Sequence, residues 1–246
     1  MQYRHEWKHV ITWLDLMMIR QRLRAVADAD AHAIDGKYLI RSLYFDTPGD
    51  RALREKIDGV NKREKFRIRY YNGDASLIHL EKKSKRNSLG TKFSAELTKE
   101  EAQAIVDGDY SWMAAELMKP ESLTGDSKEP GSFQPRGKYR RELVAELYGK
   151  IAYQGLRPKT IVDYIREPYI YRPGNVRVTF DYNIRTGLQC IDFLDPDCPM
   201  VPAGDAPVLL EVKWDAFLPD IIRDCVQVQG RRVTAFSKYA QCRIYG

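Results

Sequence analysis

Residues 64–71, Glu-Lys-Phe-Arg-Ile-Arg-Tyr-Tyr, alternate in a way that leaves the chain few options. Successive side chains on an extended strand point to opposite faces, so Lys65, Arg67 and Arg69 share one face while Phe66, Ile68 and Tyr70 share the other. The segment reads as a strand with an apolar back and a cationic front. Like charges arrayed this way repel unless something anionic lies before them. The same pattern returns in other segments, and we read these fronts as walls of a channel for phosphates.

Taken in order, Tyr3–Ile11 alternates as a strand with Arg4, Glu6 and Lys8 on one face. Thr12 caps a predicted helix to about Ala27, with Leu14, Met17, Met18 and Leu23 at helical spacing as its core side. Tyr38–Phe45 is a strand ending at the turn Asp46-Thr47-Pro48-Gly49, and Arg51–Lys56 is a helical turn carrying Arg54. The strand at 64–71 ends at Asn72-Gly73, a hairpin signal, and its partner is Leu77–Lys85, with His79, Glu81, Lys83 and Lys85 on one face. Lys92 lies in a short extended piece, and Thr98 with Glu101 forms a capping box for the next helix. Residues 120–137 are expected to be a mobile loop and Tyr139–Tyr153 a helix stopped by Gly155. Strands are expected at 160–166, at 175–182, weakly at 189–193, and at 208–214, where Glu211 and Lys213 lie opposite Leu210, Val212 and Trp214. Pro219 opens one further helix and Ser237-Lys238-Tyr239 another.

A charged face on one strand is ordinary in a half-exposed sheet. Here it recurs as Glu6, Lys8, Arg67, Arg69, Glu81, Lys83, Lys85, Arg166, Arg177, Asp181, Glu211 and Lys213, with little of the Ser, Thr and Gln that solvated faces mix in. An eight-stranded antiparallel β-barrel, a tunnel with surrounding helices, reconciles the two faces by turning the charged one inward. The expectation is an α+β fold in a single domain over residues 1–246. Crowded cations and carboxylates in such a lumen call for a polyanion and a metal ion.

The segments Arg4-x-Glu6-x-Lys8, Ser42-Leu43-Tyr44-Phe45-Asp46, Arg67-x-Arg69-Tyr70, Leu80-Glu81-x-Lys83, Tyr164-x-Arg166, Arg177-Val178-x-x-Asp181, Leu210-Glu211-Val212-Lys213 and Ser237-Lys238-Tyr239 carry a resemblance. In this order they are similar to VTC domains, the catalytic modules of the vacuolar transporter chaperone complex, within the triphosphate tunnel metalloenzyme (CYTH-like) superfamily. The resemblance implies a polyphosphate polymerase that transfers the terminal phosphoryl group of ATP to a growing inorganic polyphosphate chain. It implies that Lys8, Arg54, Arg67, Arg69, Lys83, Lys92, Arg166, Arg177 and Lys238 contact phosphates, with Tyr164 and Ser237 as hydrogen-bonding neighbours. Lys213, on the face of Glu211, joins the phosphate-binding set. Glu211 matches the carboxylate that holds a divalent ion, Mn2+ or Mg2+, and Glu6 and Glu81 are placed with it as metal-site carboxylates. Arg4 stands where the triphosphatase branch has the first glutamate of Glu-x-Glu-x-Lys, which favours gripping phosphate over activating water.

The net charge of +6 favours anionic partners in general. No RRM, KH or zinc signature accompanies it, so nucleic acid is not the expected partner. No apolar run spans a bilayer and no apolar signal region opens the chain, so the expectation is a cytoplasmic protein without a membrane segment. Cys190, Cys198, Cys225 and Cys242 have no Cys-x-x-Cys spacing and read as four reduced thiols. Two other readings stand beside the polymerase: a triphosphatase of the same fold, and a polyphosphate-binding module without turnover.

Overall fold

The structure is a computed structural model that describes residues 4–86, 89–119, 136–205, 207–228, 230 and 232–244. In chain order its elements begin with β1 (His5–Ile11), α1 (Trp13–Val26), β2 (Asp28–Ala29), β3 (Tyr38–Asp46), α2 (Arg51–Ile57), β4 (Arg63–Tyr71) and β5 (Asp74–Arg86). They continue with β6 (Leu89–Leu97), α3 (Lys99–Asp107), α4 (Ser111–Met118), α5 (Arg136–Gln154), β7 (Arg157–Tyr171) and β8 (Val176–Thr186). The last are β9 (Val201–Pro202), β10 (Val208–Trp214), α6 (Asp220–Val226) and α7 (Lys238–Ile244). This is the expected α+β class, with eight long strands in an antiparallel sheet and helices packed on it. The contacts divide the chain into two compact units, 1–40 with 162–186 and 200–246, and 41–161 with 187–199.

In the first unit the strands run β1-β10-β8-β7, with β2 on β7 and β9 on β8. Their apolar faces and the inner side of α1 form one core that includes Leu16, Ile19, Leu23, Val178, Phe180, Leu210, Val212 and Ile222. Thr12 caps α1 as expected: its hydroxyl accepts from Asp15 N, and the Asp15 carboxylate accepts from Thr12 N. The buried side of α1 corrects the expectation, however. Leu14, Met17 and Met18 are exposed, while Leu23 packs as expected, together with Leu16 and Ile19.

In the second unit β3, β4, β5 and β6 are neighbours in that order. Asn72 and Gly73 both have positive φ, 53° and 74°, the left-handed pair that a tight two-residue hairpin requires. Asp46, fully buried, replaces the missing cap of α2 by accepting from Ala52 N and Leu53 N at 2.8 and 3.1 Å. Opposite the charged front, Lys82 interrupts the apolar back of β5. Its ammonium pairs with Glu64 at 3.2 Å and with Glu146 of α5, while Lys150 of α5 also reaches Glu64. Arg140 of α5 binds Glu116 and Glu101 and so ties α4 and α3 to it.

Two further expectations change. The piece around Lys92 is a nine-residue strand, and α4 had no sequence signal that we read. Residues 189–193 are not a strand: turns closed by Cys190 N to Gly187 O and Phe193 N to Ile191 O bury Phe193 against the Tyr70 ring. The loop expected at 120–137 lies outside the described residues from 120 to 135.

The α1 packing predicts a contrast between its two faces. Leu16→Ala or Leu23→Ala should destabilise the protein by about 2–5 kcal/mol, whereas Met17→Ala should stay within about 0.5 kcal/mol. Urea unfolding of the three variants checks this, and a larger loss at Met17 would reverse the assignment.

Candidate active site

Antiparallel register supplies the site of the first unit directly. Across β1 and β10, Glu6 stands opposite Lys213 and Lys8 opposite Glu211; across β7 and β8, Arg166 stands opposite Asp181. Each of these neighbours has the opposite charge, the stabilising cross-strand arrangement. Glu211 is the node: Lys8 lies 3.1 Å away, Lys213 3.2 Å, Arg166 3.5 Å and Lys238 3.7 Å. Asp181 takes both arms of the Arg166 fork at 2.7 Å and Lys238 Nζ at 2.5 Å. Glu6 completes the cluster by reaching Lys213 at 3.3 Å and Lys8 at 3.6 Å. Four cations thus share three carboxylates.

Two devices aim the cations. A register shift between Asp163 and Ile165 bulges β7 at Tyr164, whose buried ring lies 4.6 Å from Lys238 Nζ and 5.6 Å from the Arg166 guanidinium. Ser237 accepts from Ala240 N at the start of α7, holding the turn from which Lys238 projects.

Burial would push the Glu211 carboxyl upward, but Lys213, Lys8, Lys238 and Arg166 together hold it well below the ordinary carboxylate range. Asp181 is lowered in the same way, with burial outweighed by Arg166 and Lys238. Burial would lower Lys8, yet Glu211 and Glu6 raise it above the usual lysine range. All three groups are therefore ionised together at neutral pH.

Arg177 is set apart from this cluster. It shares a face with Asp181 and stands opposite Lys213, but its guanidinium pairs with Asp30 at 3.0 Å. Between Arg177 and Asp181, opposite Glu211, lies Thr179, a buried residue whose hydroxyl has no hydrogen-bond partner among the described residues. A buried unpartnered hydroxyl is costly and marks a place where a ligand oxygen would complete the set. Arg4 turns away to Asp215 at 2.8 Å.

The second unit has its own charged face. Arg67 stands opposite Glu81 and bonds it through Nε at 2.6 Å, and its Nη1 donates to the Tyr44 hydroxyl at 2.8 Å. Arg69 donates to Ser42 at 2.9 Å and lies over the Tyr71 ring. Lys92 also reaches Glu81, which burial would raise but which Arg67, Arg69, Lys92 and Lys83 hold well below the ordinary range. Lys65, Lys83 and Lys92 form one cross-strand row. Lys83, Lys85 and Lys92 are exposed to solvent, as is Arg54 on α2.

The structure thus gathers Glu6, Lys8, Tyr164, Arg166, Glu211, Lys213 and Lys238 into one cluster, and Arg67, Arg69, Glu81, Lys83 and Lys92 onto one face. Asp181 was visible as a face residue but its role as anchor of Arg166 and Lys238 was missed. Ser42, Tyr44 and Asp30 were missed as partners, although the Ser42–Asp46 segment had been singled out.

A divalent ion needs hard oxygen donors and tolerates as few as one or two protein carboxylates beside phosphate and water. Glu6 and Glu211, bridged by two shared lysines, fit that description with the unpartnered Thr179 hydroxyl close by in the register. No group of three or more His, Cys, Asp or Glu side chains suited to a metal ion occurs among the described residues. The carboxylates of such a site would need the anionic ligand to complete it.

The antiparallel α+β sheet with these paired charged faces is the frame in which the family match falls. The chain belongs to the VTC domain family, whose model matches residues 3–244. The match supports a tunnel-fold, triphosphate-related enzyme, of the phosphotransferase or triphosphatase kind, in a group that generally uses divalent metals. No curated protein matches the sequence. Among solved structures it is similar to a "putative adenylate cyclase" from Bacillus halodurans, with 12% identity over 86% of this chain and 80% of that one and a TM-score of 0.48. It is also similar to the PH1012 protein of Pyrococcus horikoshii OT3, with 14% identity over 99% of both chains and a TM-score of 0.44. No described helix is long and apolar enough to cross a membrane.

Depressed carboxylates fix the direction of the acid response. The unfolded chain binds protons that the folded one refuses, so stability is full above the ordinary carboxylate range and is lost as pH falls through the lowered folded values. Asp181→Asn should cost about 3–5 kcal/mol at neutral pH by leaving Arg166 and Lys238 underpaired. Thermal melts between about pH 6 and pH 3 should then fall more steeply for the wild type than for the variant.

Proposed function

We propose that this protein is a metal-dependent polyphosphate polymerase, transferring the terminal phosphoryl group of ATP to inorganic polyphosphate. The observation that carries the reading is the convergence of Lys8, Arg166, Lys213 and Lys238 on buried Glu211 and Asp181 within a VTC domain. Transfer of a phosphoryl group spreads charge over its equatorial oxygens, and a protein accelerates it chiefly by positioning and neutralisation. Arg166, fixed in a two-armed bond, and Lys238, held over Tyr164, are preset for that work. Phosphate oxygens entering the cluster would draw Lys8 and Lys213 away from Glu211, exchanging one anion for another without uncovering a bare charge.

Glu211 and Glu6 are the residues that would hold Mg2+ or Mn2+, which supplies neutralisation between adjoining phosphates. The growing chain end is already an anion and needs no general base. Arg67, Arg69 and Lys92 would grip phosphates in the same way, with Glu81 keeping them in place. Residues 1–246 would serve as one domain in this reading.

Incubation of the purified protein with ATP and Mn2+ should yield long polyphosphate. Release of free phosphate alone would transfer the reading to a triphosphatase, and no turnover with any divalent ion would leave a binding module. Glu211→Ala should abolish turnover yet still bind polyphosphate. Its four underpaired cations should make tripolyphosphate stabilise it strongly, by about 2.7 kcal/mol at a hundredfold excess over Kd. A thermal-shift titration checks this, and an unresponsive variant would show that phosphate does not enter the cluster.

A further inference from the structure

Two of the four cysteines are neighbours in space although they are eight residues apart in sequence. Cys190 Sγ and Cys198 Sγ lie 2.7 Å apart, both as free thiols, in the segment 187–199 of the second unit. That separation is close to the ~2.04 Å of a disulfide bond, so little movement separates the two states. Cys225 and Cys242 have no such neighbour among the described residues.

The two thiols are not equivalent. Cys190 is half-exposed and its Sγ contacts the Asp192 carboxylate at 3.5 Å, an acceptor for the thiol proton. Cys198 is buried, and burial together with the adjoining Cys190 pushes its thiol up to about 12. Cys190, the more exposed of the two, is therefore the thiol that an external disulfide reaches first, and buried Cys198 the one that resolves.

The bridge would close around anchors of the second unit. Between the two cysteines, the Phe193 carbonyl accepts from the Tyr70 hydroxyl at 3.1 Å and the Asp195 carbonyl from Arg41 at 2.5 Å. Tyr70 and Arg41 are chain neighbours of Arg69 and Ser42, which bond each other. Fastening residues 190 and 198 would thus fix the backing of that charged face without occupying it.

We propose that Cys190 and Cys198 form a reversible dithiol–disulfide modification site, oxidised by exchange with a small disulfide such as oxidised glutathione. The Cys190 thiolate attacks one glutathione sulfur; an S–S bond forms to Cys190 and the other glutathione leaves as thiolate and takes up the proton. Cys198 then attacks the Cys190 sulfur, the Cys190–glutathione S–S bond breaks, and the second glutathione leaves as a thiolate that takes up the Cys198 proton. Two protein thiols are oxidised, one glutathione disulfide is reduced to two thiols, and two electrons pass to it.

The test uses the reduced full chain with oxidised glutathione, followed by alkylation and peptide mapping. The intact mass should fall by two hydrogens, a Cys190–Cys198 cross-linked peptide should appear and vanish on adding dithiothreitol, and Cys225 and Cys242 should remain alkylated. Cys198→Ser should stop at a glutathione adduct on Cys190, and Cys190→Ser should give neither adduct nor bridge. A wild-type chain that ends as a lasting glutathione adduct, keeps all four thiols open to alkylation, or links through Cys225 or Cys242 overturns the proposal. The wild-type map decides the matter even if the serine variants fold poorly.

Discussion

One carboxylate holds the charged face of the first unit together. Glu211 is 4% exposed and four cations approach it within 4 Å. A buried anion on its own would be expelled or neutralised, and four converging cations on their own would repel each other. Together they are tolerable, because the antiparallel register sets Lys8 directly across from Glu211 and Arg166 across from Asp181. The site is therefore a property of strand pairing. A one-residue slip of β10 would turn Glu211 and Lys213 into the apolar core and Leu210 and Val212 out of it.

The two units solve like-charge crowding differently. In the first, carboxylates are shared among cations and almost every charge has two partners. In the second, Arg67 and Arg69 are steadied by the neutral hydroxyls of Tyr44 and Ser42 as well as by Glu81. Neutral partners fix a guanidinium without cancelling its charge, so this face stays the more attractive to an anion. The lysine row of Lys65, Lys83 and Lys92 adds further positive charge to this face, and Lys92 meets Glu81.

Period-two alternation made most of this legible, since it fixes which side chains share a face whatever the strands pair with. Helix-start signals marked Thr12 and Thr98 as caps, and both form the reciprocal bonds of a capping box. The α1 helix was misread because its apolar residues fall on two faces: Leu14, Met17 and Met18 keep helical spacing as well as Leu16, Ile19 and Leu23 do. Only the core decides between them. Partnerships across long sequence gaps were also invisible: Asp30 with Arg177 is separated by 147 residues, and nothing local to either announces the other. Residues 189–193 differ for a further reason, since a short segment that turns to bury one aromatic side chain, Phe193, carries the same local pattern as one that extends.

Arg4 carries the argument from geometry to chemistry. A strand opening Glu-x-Glu-x-Lys would set a second carboxylate on the face of Glu6. Here that position is a cation drawn off to Asp215, leaving Glu6 to be shared by Lys8 and Lys213. Two glutamates on that face could divide the cations between them; the single Glu6 has to serve both lysines. The number of carboxylates that one strand face can spare thus decides how the cations of that face are paired.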